Sequence, residues 1–144
     1  MPIWPKRKPR PTVDEYGRTP LWYHALNGEV AAAKAVIAAG ADVSAGDDVH
    51  YTPLHAAAQG GHGAVVQLLL EHGADANALD KHGNAPLWTA VMKAPNESRD
   101  QIITLLLRAG ADPHRKNAHG RSPFEVATDC GLTAVFHSGS GGAA

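Results

Sequence analysis

The chain has 144 residues, 44% of them apolar and 19% charged, which allows one modest hydrophobic core and excludes disorder along the whole length. Thirteen Lys and Arg against fourteen Asp and Glu give a formal charge of -1, a balance that argues against a protein built around the phosphate backbone of nucleic acid. The single cysteine, Cys130, excludes an intramolecular disulfide and a Cys-based zinc cluster and suits a reducing compartment, so a cytoplasmic location is expected.

In chain order, residues 1–13 come first, with Lys6, Arg7, Lys8 and Arg10 interleaved with Pro2, Pro5, Pro9 and Pro11. They lack the apolar core of a secretory signal, and no stretch of the chain approaches membrane-spanning length, so a flexible, solvated basic arm is expected and no membrane partner. These four cations leave nine basic and fourteen acidic residues beyond them, a net -5. The folded body is therefore acidic.

From residue 14 onward an internal repeat sets the organisation. The first unit, 14–46, opens on Asp14 with Gly17 three residues later, a tight hairpin-like turn in which glycine supplies positive φ. Thr19 then stands as an N-cap before Pro20 at the first helical position, where a missing N–H costs nothing. A short helix ends at Gly28 and a second at Gly40. The second unit, 47–79, repeats the pattern 33 residues on, with Asp47, Thr52-Pro53-Leu54-His55, Gly61 and Gly73-Ala74-Asp75. His50 stands where the other units have Gly; at positive φ it would be strained by about 1 kcal/mol, so this turn is expected to deviate.

The third unit, 80–116, follows another 33 residues on with Asp80, Gly83, Ala85-Pro86-Leu87-Trp88 and Gly110-Ala111-Asp112. It carries four extra residues around 94–99, expected to loop out on one face between its two helices. The fourth, 117–136, begins 37 residues later with Asn117, Gly120 and Ser122-Pro123-Phe124-Glu125 and is truncated. Residues 137–144, with Ser138-Gly139-Ser140-Gly141-Gly142, read as a flexible tail.

Helices of roughly ten residues are not stable alone in water; stacking of units must stabilise them. Ala56, Ala57 and Ala58 let the first helices approach closely, and Val65, Val66, Leu68, Leu69 and Leu70 supply apolar faces between units. The expected fold is all-α, a solenoid of helix-turn-helix units joined by hairpin-like turns.

Nine histidines invite a metal reading, yet no pair has the i, i+4 spacing that sets two ligands on one helical face. No Gly-x-Ser-x-Gly or phosphate-loop pattern surrounds a nucleophile. No metal, no cofactor and no catalytic activity are expected.

The Thr52-Pro53-Leu54-His55-Ala56-Ala57 segment, with Gly61-His62, Leu68-Leu69-Leu70, Gly73-Ala74-Asp75 and Asn77, resembles the ankyrin repeat family, and the likeness covers residues 14 to about 136. It implies that His55 and His62 are structural, that Trp22, Trp88 and Glu125 replace the signature His, and that the turn tips and first helices form a concave protein-binding surface. Transferred unit by unit, that surface comprises Tyr16 and Arg18; Asp48, Val49, Tyr51 and Gln59; Lys81, His82, Asn84, Trp88, Met92 and Lys93; and His119 and Arg121. Tyr16, Tyr51 and Trp88 are expected at corresponding points, as an aromatic stripe with a polar rim.

The run Leu105 to Pro113, followed by Lys116 to Pro123, further resembles small bacterial ankyrin proteins, some of which are immunity proteins. That likeness implies a protein, monomeric when unbound, that neutralises a secreted antibacterial toxin, and an acidic body suits a basic toxin domain. The alternative is a generic scaffold or adaptor without an inhibitory role.

Overall fold

The computed structural model describes residues 13–139. The basic arm, apart from Val13, and the end of the Gly/Ser tail lie outside the described residues. Eight helices follow one another, α1 (Pro20–Asn27), α2 (Val30–Ala38), α3 (Pro53–Gly60), α4 (Gly63–Glu71), α5 (Pro86–Lys93), α6 (Asn96–Arg108), α7 (Pro123–Asp129) and α8 (Thr133–Gly139). No strand occurs among the described residues. The odd-numbered helices stack on one another as an inner layer and the even-numbered ones as an outer layer.

Each inner helix starts as its residues dictate. Thr19 Oγ1 accepts from the Trp22 amide at 3.1 Å, Thr52 Oγ1 from that of His55 at 3.3 Å and Ser122 Oγ from that of Glu125 at 3.2 Å. Pro20, Pro53, Pro86 and Pro123 each take the first helical position. Ala85, which has no side-chain acceptor, begins α5 without such a bond. The core lies between the layers: Leu54, Leu69, Leu87, Ile102, Ile103 and Leu106 are all fully buried.

Two expectations are corrected. The His50 turn does not deviate. His50 takes φ 61, its N–H donates to Asp47 O at 2.8 Å, and the Asp47 N–H donates to Tyr51 O at 3.0 Å. The Gly17 turn has the same pair of bonds, at 3.0 and 3.1 Å. Asp47 over-determines the loop, and His is among the residues that enter the left-handed region more readily than most.

Nor do the four extra residues of the third unit loop out. They lengthen α6 to 13 residues, against 9 in α4. Four residues make about one helical turn, so Ile102, Ile103 and Leu106 stay buried as Val65, Val66 and Leu69 are. The added turn lies against the preceding unit: a Cβ on Gly61 would meet Ser98 Oγ at 2.6 Å and Pro95 Cδ at 2.7 Å. Pro95 just before the helix and Glu97 in its first turn favour helix there.

The inner helices α1 and α3 approach closely at Gly60. A Cβ there would lie 2.5 Å from the Leu26 carbonyl oxygen and 2.6 Å from the His62 ring. Gly60→Ala is therefore expected to push α3 off α1 and to destabilise by roughly 1–3 kcal/mol, despite a propensity gain of up to about 1 kcal/mol. A urea unfolding midpoint equal to that of the unchanged chain would refute the contact.

Candidate functional site

Four turns project from the inner layer as fingers, and one carboxylate or amide builds each of them. Asp14 Oδ1 accepts from the amides of Tyr16 and Arg18, both at 2.9 Å. Asp47 accepts from Val49 and Tyr51 at 3.0 and 2.9 Å, Asp80 from His82 and Asn84 at 2.8 and 2.9 Å, Asn117 from His119 and Arg121 at 2.9 and 3.1 Å. Such side-chain bonds to the following backbone define the turn locally.

Neighbouring fingers are then tied together. The Asp48 amide donates to Tyr16 O at 3.0 Å, that of Lys81 to Val49 O at 2.9 Å and that of Ala118 to His82 O at 2.9 Å. The accepting residues are thus equivalent, and Tyr16, Val49, His82 and His119 form one row along the finger tips. All four are exposed, and Tyr16 and Val49 keep 54% and 44% of their surface. At the end of α5 Met92 keeps 50%, with Lys93 exposed beside it. A rigid surface with apolar points set in polar surroundings can bind a partner without first paying to order itself.

The expected aromatic stripe is corrected by this register. Tyr16 is equivalent to Val49, Tyr51 to Arg18, Asn84 and Arg121, and Trp88 to Trp22, His55 and Glu125, so the three rings occupy three different positions. Tyr51 is half-buried: its hydroxyl donates to Gln59 Oε1 at 2.7 Å and its ring lies 4.7 Å from that of His55. Burial pushes its phenol up to about 12. Lys93 Nζ stands 5.6 Å from its ring centre. Arg18, also half-buried, lies over the rings of Tyr16 and Trp22 at 4.9 and 4.4 Å and faces the buried Asp47 carboxylate at 3.8 Å.

Further along the same positions, Asn84 Oδ1 accepts from Asn117 Nδ2 at 2.9 Å, and exposed Arg121 pairs with Glu125 at 3.7 Å and with Asp129. Trp88 is half-buried, whereas Asp48 and Lys81 are exposed. His50, read from the sequence only as a strained turn residue, is exposed beside Val49.

The signature His position does one job with different rings. His55 is fully buried, its Nε2 sits 2.8 Å from Asn84 O, and its Nδ1 accepts from the Thr52 amide at 3.1 Å. Trp22 Nε1 donates to Tyr51 O at 3.0 Å, the equivalent carbonyl of the next unit. Glu125 takes only the capping half of the role, Oε2 accepting from the Ser122 amide at 3.1 Å. His62 packs its ring against Gly28 and Gly60. Among the described residues no three His, Cys, Asp or Glu side chains converge as a metal site, and no helix is long and apolar enough to cross a membrane.

A family model for ankyrin repeats (3 copies) matches residues 44–117. Among curated proteins, chicken (Gallus gallus) inversin is 41% identical over 83 residues, which is 57% of this chain and 8% of inversin. Zygote-specific protein 3 of Chlamydomonas reinhardtii is 42% identical over 80 residues, 56% of this chain and 21% of that protein. Human ankyrin repeat domain-containing protein 39 is 45% identical over 58 residues, 40% of this chain and 32% of the relative. The chain spans a third or less of the length of these relatives.

Proposed function

We propose, from the premise that this chain belongs to the ankyrin repeat family, that it holds another protein across its finger tips and inner helices, with all four helix pairs acting as repeats. The observation that carries this is the row of Tyr16, Val49, His82 and His119 on fingers tied to one another by backbone bonds, beside exposed Met92. No group on this face needs to titrate or react for it to work.

Exposed Lys81 and Lys93 belong to the third unit and exposed Glu15 and Asp48 to the first and second, while Arg18 faces Asp47 and Arg121 is paired with Glu125 and Asp129. A partner whose charges run in the opposite order is favoured, since charge matching sets register and encounter rate. The narrower reading, neutralisation of a basic antibacterial toxin, rests on the net -5 beyond the arm. Mixed charge on the face does not select a uniformly basic partner, and the relatives described above are eukaryotic. A scaffold or adaptor role is the form this face supports.

Tyr16→Ala, Val49→Ala and Met92→Ala combined should remove partner binding. Each side chain is about half exposed, so each should change stability by less than about 0.5 kcal/mol. The check is affinity capture with the unchanged chain and the triple variant in parallel, with circular dichroism confirming equal helicity. Proteins captured equally by both would place the binding surface elsewhere. Tyr51 is a poor probe, because its ring and hydroxyl serve the fold.

A further inference from the structure

Where the second and third units meet, exposed apolar side chains stand beside two cations. Val49 and Met92 keep 44% and 50% of their surface, and Tyr51, in the same finger as Val49, is held through its hydroxyl to Gln59 Oε1 at 2.7 Å. The Lys81 amide donates to Val49 O at 2.9 Å, which fixes one lysine beside Val49. Lys93, next to Met92 in α5, sets its Nζ 5.6 Å from the Tyr51 ring centre. Both lysines are exposed, and among the described residues neither pairs with a carboxylate. The acids nearby are engaged elsewhere. Asp47 faces Arg18, Asp80 Oδ1 accepts from the amides of His82 and Asn84, and Asp48 leans toward the first unit, where a Cβ on Gly17 would collide with its Oδ1. The other junctions lack this set. The residues equivalent to Lys81 are Glu15, Asp48 and Ala118, and those equivalent to Lys93 are Asn27, Gly60 and Cys130.

We propose, resting on the protein-binding reading of this face, that the junction seats an extended acidic segment of a partner protein, in which a large apolar side chain has a carboxylate on either side. The apolar side chain lies on Met92, Val49 and the Tyr51 ring, one carboxylate meets Lys81 and the other Lys93. Two cations without a carboxylate of their own, set around apolar surface, favour an acidic occupant over a basic or neutral one. An apolar centre with a charged rim is the arrangement in which a buried anchor residue supplies most of the binding energy. The seat is preformed, because the bond from Tyr51 to Gln59 and the backbone tie between the two fingers hold it in place without a partner. Met92, unbranched and polarisable, can adjust to the shape of the anchor. This narrows the partner from a protein of matching charge order to one that presents carboxylates around an apolar residue at a single junction.

The test selects a random peptide library, displayed on phage, against the immobilised full chain. Two variants are compared with it, one combining Lys81→Glu and Lys93→Glu, the other combining Tyr16→Ala, Val49→Ala and Met92→Ala. All five side chains are exposed, and circular dichroism checks that helicity is equal. Enriched peptides should carry Asp or Glu on both sides of a large apolar residue, and the double lysine variant should bind them roughly tenfold more weakly, with a flatter salt dependence. Glu15→Gln combined with Asp48→Asn should not weaken them. Enriched peptides that lack the flanking acids, or that the lysine variant binds as well as the unchanged chain while the alanine variant does not, would overturn this inference and leave protein binding at the face standing. Peptides bound equally by all three proteins would overturn both readings. A library that yields no enriched peptide would overturn the inference, since the junction would then hold no short segment. So would a dimer, seen by sedimentation, that the lysine variant dissolves, because Glu15 and Asp48 of a second copy would then be the acids.

Discussion

Trp22→Ala is expected to lower the free energy of unfolding by about 3–5 kcal/mol. The indole is 5% exposed, so its truncation opens a cavity at the junction of the first two units. It also removes the bond from Nε1 to Tyr51 O at 3.0 Å. Arg18, 4.4 Å from the ring centre, loses the face it lies on, and Tyr23, whose ring centre is 5.2 Å away, loses an edge contact. Trp22→His separates these contributions, because His55 makes the equivalent bond to Asn84 O at 2.8 Å. It should recover part of the loss by restoring the bond without the area. Urea unfolding of all three proteins measures this; equal losses for Ala and His would mean that burial alone matters at this position.

His55→Ala should cost roughly 2–4 kcal/mol, since it leaves the buried Thr52 amide without its acceptor and opens a void between inner helices. The same residue gives stability a pH dependence. Burial holds the imidazole below its ordinary 6.5, so the folded chain prefers it neutral. An unfolded chain binds the proton first as pH falls. The contribution is therefore complete above 6.5 and is lost as pH drops from there through the folded value. Between about pH 7.5 and about pH 5 the melting temperature of the unchanged chain should fall more than that of His55→Gln, in which no group titrates at this position. Parallel curves for the two proteins would exclude His55 as the source.

The two inner-helix rings and the finger row have a common origin. Both depend on carbonyls of one unit being presented to the next, Tyr51 O and Asn84 O to the rings, Tyr16 O, Val49 O and His82 O to the following finger. A variant that shifts one unit against another, as Gly60→Ala should, is therefore expected to disturb the binding row as well as the core. Binding and stability in this chain are coupled through register.

Turn positions and helix starts were legible in the residues alone. Asp at the head of a turn, Gly at positive φ, Thr or Ser before Pro, and Leu-rich runs act within four residues of themselves, and a step of 33 residues repeats them. What spans a whole unit was not legible in that way. Whether His50 would break its turn depended on the bonds Asp47 makes around it, and whether four extra residues would form a loop or a helical turn depended on the seat that Gly61 offers them. Tyr16, Tyr51 and Trp88 look alike as aromatic residues in a sequence. Only stacking assigns the first to an exposed tip, the second to a bonded interior edge and the third to a half-buried helix face. Local backbone preference is written in neighbouring residues, whereas exposure and side-chain partners are fixed by contacts between units, which exist only once the units have packed.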